Sequence, residues 1–397
     1  MAELQTQTPV PTVRADALSR ALQRGDARVV DLRSPSEFAE DHLPGARNVP
    51  LFDDVERAVI GTLYAKESPA AAFDEGRRVT RARVGELVGA IAAAAGWEVP
   101  TVDLAARVEE MTAGGIRRLE GGLVPRPREG ELESGTLVLH CWRGGLRSRS
   151  VIALLRGLGL ERATGLEGGY KGWRAHVRAE LDRWQAPPTF VLRGFTGVGK
   201  TLVLRELERQ RPGWTVDLEG LAGHRSSILG MVGLAPCTQK AFETRLASRF
   251  AAGFDGPCVF EGESRKVGDA ILPPRVWSAL GAGVNLKLDA PLDRRIDVLI
   301  EDYLAHDDNR AELLRQLPFI EQRLGPRQWD GRLCALLSQG DERELVETLL
   351  ERYYDPLYAH SEKGRTYDAR FDTSDPATCA AEIGSWIERR MDSSRAT

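Results

Sequence analysis

The chain has 397 residues, 42% hydrophobic and 28% charged, so a folded protein of roughly two or three domains is expected and global disorder is excluded. A formal net charge of -4 excludes attachment to nucleic acid by overall charge and leaves only a local basic face for that purpose. Cys141, Cys237, Cys258, Cys334 and Cys379 are sparse and never spaced as CxxC. That argues against a disulfide framework or a zinc site and for reduced thiols in a cytoplasmic protein.

In chain order, the opening stretch from Met1 to Arg20 lacks a basic start followed by an apolar core, so it reads as no signal peptide. A short amphipathic helix is expected to precede the strand Arg28 to Leu32. Ser34-Pro35 then starts a helix, and His42 to Pro50 is a loop running into a short second strand. From about residue 53 to 122 the apolar spacing and alanine content predict helices, with Gly96 as a stop. The Ala-rich stretch Leu87 to Trp97 is too short to span a bilayer, and no membrane partner is expected. Thr136 to His140 returns to strand, Ser148 to Leu158 is a helix, and Glu167 to Trp173 is a turn leading into another helix. Gln185-Ala186-Pro187-Pro188 reads as a linker, because paired prolines cannot continue a helix. Further strands are expected near Thr189 to Leu192, Trp214 to Asp217, Cys258 to Glu261 and Val284 to Leu288. They alternate with helices, which predicts an α/β fold with mainly parallel sheets and a helix-rich, charged end from about Asp293.

Cys141 sits where the buried strand ends, in His140-Cys141-Trp142-Arg143-Gly144-Gly145-Leu146-Arg147-Ser148. A strand-loop-helix setting turns backbone N–H groups and the positive end of the helix toward the sulfur. Arg143 and Arg147 favour thiolate over thiol, while Gly144 and Gly145 let the backbone wrap an anion. Cys141 is therefore the candidate nucleophile, with Arg143, Gly144, Gly145, Arg147 and Ser148 as its anion loop. A second anion grip is Gly194-Phe195-Thr196-Gly197-Val198-Gly199-Lys200-Thr201, which fits the Walker A pattern between a strand and a helix. Gly194, Gly197 and Gly199 free the backbone to cup phosphate, Lys200 adds a point charge, and the Thr201 hydroxyl suits a magnesium ion. Asp217, Glu261 and Glu263 are candidate acids or metal partners. A phosphate cradle selects no base, so any diphosphate ester fits it.

The stretches Val29 to Glu37, His42 to Pro50, the Cys141 loop and Leu166 to Trp173 resemble the successive signatures of the rhodanese family. The loop also meets the His-Cys-five-residues-Arg pattern of cysteine phosphatases, and both readings stay open. Three further stretches, Glu56 to Tyr64, Asp217 to Arg225 and Glu261 to Gly268, together with both loops, resemble the bacterial tRNA 2-selenouridine synthases. The resemblance implies a rhodanese-like domain over residues 9–184 with a helical insert at about 53–130. A P-loop NTPase-like α/β domain with a helical C-terminal region follows at 188–397. It implies exchange of sulfur for selenium in wobble 2-thiouridine of tRNA, with selenophosphate as donor and an S-geranylated intermediate made from geranyl diphosphate. No tightly bound cofactor is implied beyond a magnesium ion, and a selenophosphate-producing enzyme is a candidate partner. His224, Arg225, Arg265 and Lys266 become candidate contacts to tRNA or diphosphate. The competing classes are a rhodanese-fold phosphatase or sulfurtransferase joined to a nucleotide-binding module, and a nucleotide-gated scaffold indifferent to loss of Cys141.

Overall fold

The computed structural model describes residues 7–304, 306–362 and 364–395. Within them the chain forms two compact units: the first runs to Glu180 and takes in Glu243–Ala251, and the second comprises Leu181–Phe242 and the chain from Ala252 onward.

The first unit is built on a sheet of six strands, β1 (Thr8–Val13), β2 (Ala27–Asp31), β3 (Arg47–Asn48), β4 (Leu123–Pro127), β5 (Thr136–His140) and β6 (Ala163–Leu166). Their order is β3-β2-β5-β6-β1-β4, and every pairing is parallel. Each residue of β5 is buried, as expected for a strand covered on both faces. In β1, Pro9 and Pro11 sit inside the sheet without breaking it. Pairing with β4 runs from Thr8 to Thr12, whereas pairing with β6 is confined to Thr12 and Val13. The prolines thus lie where one side of the strand makes no ladder.

Between β3 and β4 come four helices, Asp54–Lys66, Pro69–Ala95, Leu104–Thr112 and Gly115–Gly122, in the region where the sequence predicts helix. Asp53 and Glu56 form a reciprocal capping box at the first, and Gly96 closes the second in the left-handed conformation (φ 66°). Val84, Val88 and Ile91 of the long helix share one apolar core with Val30, Leu137 and Leu139 of the sheet. Each such side chain contributes about 1.5–3 kcal/mol by leaving water.

A buried polar network underlies the C-terminal ends of β2 and β5. Asp31 and Arg33, both inaccessible to solvent, form an ion pair at 2.5 Å, and the Arg33 guanidinium stacks 3.7 Å from the centre of the Tyr170 ring. Arg33 also donates to the Asp41 carbonyl at 2.7 Å, while Asp41 accepts from Tyr170 Oη at 2.8 Å and Thr244 Oγ1 at 3.1 Å. Pairing through Nε and Nη2, with the ring of Tyr170 over the guanidinium, offsets the burial of this charge, although Arg33 Nη1 has no hydrogen-bond partner among the described residues.

The second unit holds the strands β7 (Thr189–Arg193), β8 (Thr215–Val216), β9 (Cys258–Glu261), β10 (Lys266–Val267), β11 (Ala270–Ile271), β12 (Val284–Asp289) and β13 (Ala369–Asp372). A parallel sheet runs β13-β12-β7-β9-β8, and β10 and β11 make a separate antiparallel pair. The helices Lys200–Gln210 and Pro376–Arg395 pack against the sheet through Val203, Leu207, Ile383 and Ile387. From Leu292 to Glu362 the described residues are mostly helical around their own apolar cluster and include a π-helical turn, Leu349–Tyr354. Strand β13 lies within the end expected to be helix-rich. Among the described residues no helix is long and apolar enough to cross a membrane.

Candidate functional site

Cys141 follows β5 directly, and the helix Leu146–Gly157 begins after Gly145. Its carbonyl accepts from Tyr170 N at 2.9 Å, and that of Trp142 accepts from Lys171 N at 3.0 Å. The Glu167 to Trp173 turn is thereby clamped beneath the loop. Gly169 is required there: its φ is 56°, and a Cβ would lie 2.3 Å from the Cys141 carbonyl oxygen and 2.4 Å from Gly144 N. Cys141 Sγ lies 3.3 Å from Ser148 Oγ. The preceding His140 is fully buried, and neither ring nitrogen has a hydrogen-bond partner among the described residues. Burial lowers its pKa, Asp31 opposes and Arg33 assists, which keeps the ring neutral. No acidic group pairs with Arg143 or Arg147 among the described residues, so both guanidiniums are free to take an anion beside the thiol.

A cavity of about 590 Å³ opens at this loop, lined by Cys141, Trp142, Arg143, Gly145 and Arg147 on one side. Its other walls are largely apolar and come from Leu51, Phe52 and the insert helices, among them Ile60, Phe73, Met111 and Ile116. Nothing in the spacing of the apolar residues distinguishes these cavity walls from ordinary core.

In the second unit, the loop from Gly194 to Thr201 joins β7 to its following helix as predicted. Gly197 has φ 79°, and a Cβ there would come within 2.8 Å of the Arg295 carbonyl oxygen. Lys200 Nζ donates to the carbonyls of Gly194 at 3.1 Å and Phe195 at 3.4 Å. Thr201 Oγ1 donates to Glu261 Oε2 at 3.2 Å and Glu219 Oε2 at 3.4 Å, and Glu261 accepts from Glu219 N at 2.8 Å. Glu219 is not among the candidate acids read from the sequence, which are Asp217, Glu261 and Glu263. Asp217 instead caps the helix Leu218–Ala222, accepting from Gly220 N at 2.6 Å, and so turns Glu219 toward Thr201.

Burial drives the acids of this cluster toward their neutral forms. Glu219 is pushed up to about 8, chiefly by desolvation and then by the Glu263 charge, with Lys200 opposing. Burial likewise raises Glu261 well above the usual carboxylate range and raises Glu263. The folded state therefore holds extra protons between the unfolded value of 4.5 and about 8 for Glu219, and stability falls as pH rises through that window. Glu219→Gln is expected to flatten this decline in thermal melts across the same pH range. A wild-type slope no steeper than the variant's would contradict the buried, protonated cluster.

The four candidate cations separate. Arg225 is held inside the fold, donating to the carbonyls of Val232 at 2.8 Å and Asp302 at 3.2 Å and lying over the Tyr303 ring. His224 Nδ1 accepts from Ser226 N at 3.0 Å. Ser226 is the one non-glycine residue with positive φ (50°) among those described. Lys266 pairs with Asp269 at 2.9 Å on the surface. Arg265 is exposed, and no acidic partner is found for it among the described residues. The sequence reading also overlooks a smaller cavity of about 290 Å³ lined by Ser226, Ser227, Arg323, Tyr353, Tyr354 and Tyr358. Its tyrosines come from the helical end, which carries no local motif. No group of three or more acids, histidines or cysteines among the described residues is arranged to hold a metal ion.

These two units define a protein in which a rhodanese-like, cysteine-bearing domain is joined to a P-loop α/β domain. The family profile described as tRNA 2-selenouridine synthase AAA domain matches residues 187–391, and the rhodanese-like domain profile matches residues 14–124. Relatives named tRNA 2-selenouridine synthase align along nearly the whole chain. The Cupriavidus pinatubonensis protein is 32% identical, covering 91% of this chain and 94% of the relative. That of Chromohalobacter salexigens is 30% identical over 90% and 94%, and that of Bordetella bronchiseptica 31% over 89% and 93%. The chain belongs to the tRNA 2-selenouridine synthase family.

Proposed function

We propose that this protein is a cytoplasmic transferase that exchanges sulfur for selenium at C2 of wobble 2-thiouridine in tRNA. In the first step the thiouridine sulfur attacks C1 of geranyl diphosphate; the S–C bond forms, the C–O bond breaks and diphosphate leaves. Alkylation turns the sulfur into a leaving group. In the second step the selenium of selenophosphate adds to C2, the C2–S bond breaks, and geranylthiolate departs and takes a proton. Water then cleaves the remaining P–Se bond, releasing phosphate and leaving 2-selenouridine. A selenophosphate-producing enzyme would supply the donor.

One observation carries this reading: two anion grips with different chemistry, one built around a thiol and one around an ammonium, lie in a single chain of this family. Cys141 serves the selenium step, with Arg143, Gly144, Gly145, Arg147 and Ser148 receiving the anionic donor. Gly194, Gly197, Gly199, Lys200 and Thr201 grip the diphosphate. A magnesium ion arriving with the diphosphate would find oxygen donors beside Thr201, whose hydroxyl lies 3.2 Å from Glu261 and 3.4 Å from Glu219. Thr201 and Glu261 would hold the ion, which would supply charge neutralisation for the diphosphate. Arg265 and Lys266, on the surface, suit contacts to the tRNA backbone; His224 and Arg225 shape the loop between.

Mass spectrometry of nucleosides from a deletion strain tests the reading. Wobble 2-selenouridine is expected to vanish, 2-thiouridine to persist, and the gene to restore the selenium. Unchanged 2-selenouridine in the deletion strain would overturn it.

A further inference from the structure

The proposed function leaves one structural feature unused, the apolar cavity beside Cys141. Its volume of about 590 Å³ lies within the roughly 300–1,000 Å³ typical of small-molecule sites. Cys141, Arg143 and Arg147 stand on the loop side, while Ile60, Phe73, Met111 and Ile116 of the insert supply hydrocarbon opposite, with Arg57, Arg77, Thr80, Thr112 and Glu120 among them. Arg57, at the margin, is already engaged by Glu37 at 3.6 Å, and Arg77 by Asp74 at 3.7 Å. Among the described residues the cations of the cavity without an acidic partner are thus those of the thiol loop, and the insert walls favour a neutral, apolar occupant.

We infer that this cavity is the subsite for the alkyl chain of the S-geranylated thiouridine, holding it while selenium enters at C2. The inference rests on the proposed function and deepens it. In the thioether a single sulfur joins the carbon under attack to the hydrocarbon that leaves. If the attack takes place at the Cys141 loop, the chain must lie within a few bonds of that loop. The loop end of the cavity is cationic and suits the donor, and the walls supplied by the insert are largely apolar. An uncharged chain fits hydrocarbon walls, whereas the diphosphate of the first step would have to compete with the selenium donor for Arg143 and Arg147. The subsite also accounts for the insert, whose walls select alkylated over unalkylated thiouridine for exchange.

The test uses the full-length protein and synthetic anticodon-stem RNA carrying S-geranyl- or S-methyl-2-thiouridine. Each methylene buried from water changes affinity by roughly fourfold, so wild type is expected to bind the geranyl RNA at least about tenfold more tightly. Ile116→Asp and Met111→Trp, both at half-buried positions, should remove that preference and raise KM for selenium exchange on the geranyl RNA. Alkylation of thiouridine by geranyl diphosphate should stay within about twofold of wild type. Equal binding of the two RNAs by wild type would overturn the subsite while leaving the proposed function intact. Loss of alkylation in both folded variants would also overturn it, by assigning the cavity to the prenyl donor. Absence of selenium exchange on any RNA by wild type would instead overturn the proposed function; the binding preference would still report on the cavity.

Discussion

Cys141→Ala is expected to lose selenium incorporation by about 10²-fold or more, the scale on which a group assisting at the reacting atoms acts, and to keep alkylating thiouridine. Nothing in the fold opposes the change. Residue 141 is 2% exposed, and the one side-chain hydrogen-bond partner of its thiol among the described residues is Ser148, so alanine leaves a small gap and no stranded charge. The loop around it is held by main-chain bonds from Tyr170 and Lys171 to the carbonyls of Cys141 and Trp142, which survive the substitution. A loss of selenium transfer would therefore report chemistry rather than collapse. The assay follows S-geranyl-2-thiouridine and 2-selenouridine in one tRNA sample supplied with both donors. S-Geranyl nucleoside should accumulate; full selenium incorporation would remove Cys141 from the reaction. A phosphatase would instead lose Cys141-dependent ester hydrolysis without any need for tRNA, and a scaffold would be indifferent.

Lys200→Ala should have the complementary effect, loss of alkylation by about 10²–10³-fold, as for other groups that stabilise charge developing on a leaving group. Lys200 Nζ donates to the carbonyls of Gly194 and Phe195, so its ammonium already sits within the cradle. The variant has a second consequence. Lys200 lowers the pKa of both Glu219 and Glu263, and without it those acids hold their protons to still higher pH. Its stability should accordingly fall more steeply as the solution is made alkaline. Selenium exchange on RNA already carrying the S-geranyl group should remain near the wild-type rate. Geranylation by Lys200→Ala at the wild-type rate would refute the role of the P-loop.

The two loops were legible because each is a short, local pattern between a strand and a helix, and the fold supplies both contexts. The helical insert was legible from its alanine content and apolar spacing, with Gly96 at the predicted stop. What escaped depended on pairing across distance. The proline-rich TPVPTV becomes β1 only because β4 and β6 offer edges in the right register. Strand β13, ARFD with an alternately half-buried and exposed pattern, carries too little apolar character to announce a sheet edge. Glu219 was hidden by its ordinary surroundings, since only the cap at Asp217 turns it under Thr201. The cavity beside Cys141 was invisible for a related reason: lining and core use the same residues.

Segment Glu243–Ala251 belongs to the first unit although residues 181–242 precede it in the chain. Asp41 receives a hydrogen bond from Thr244, and Arg174 pairs with Glu243. During translation, then, the cysteine-bearing unit is not finished when its own contiguous stretch has emerged from the ribosome. It waits for the strand, phosphate loop and helices of the next stretch to be made before its last piece arrives. Gene fragments that stop in the Pro187-Pro188 linker remove that piece, so the two units are coupled through the order of synthesis.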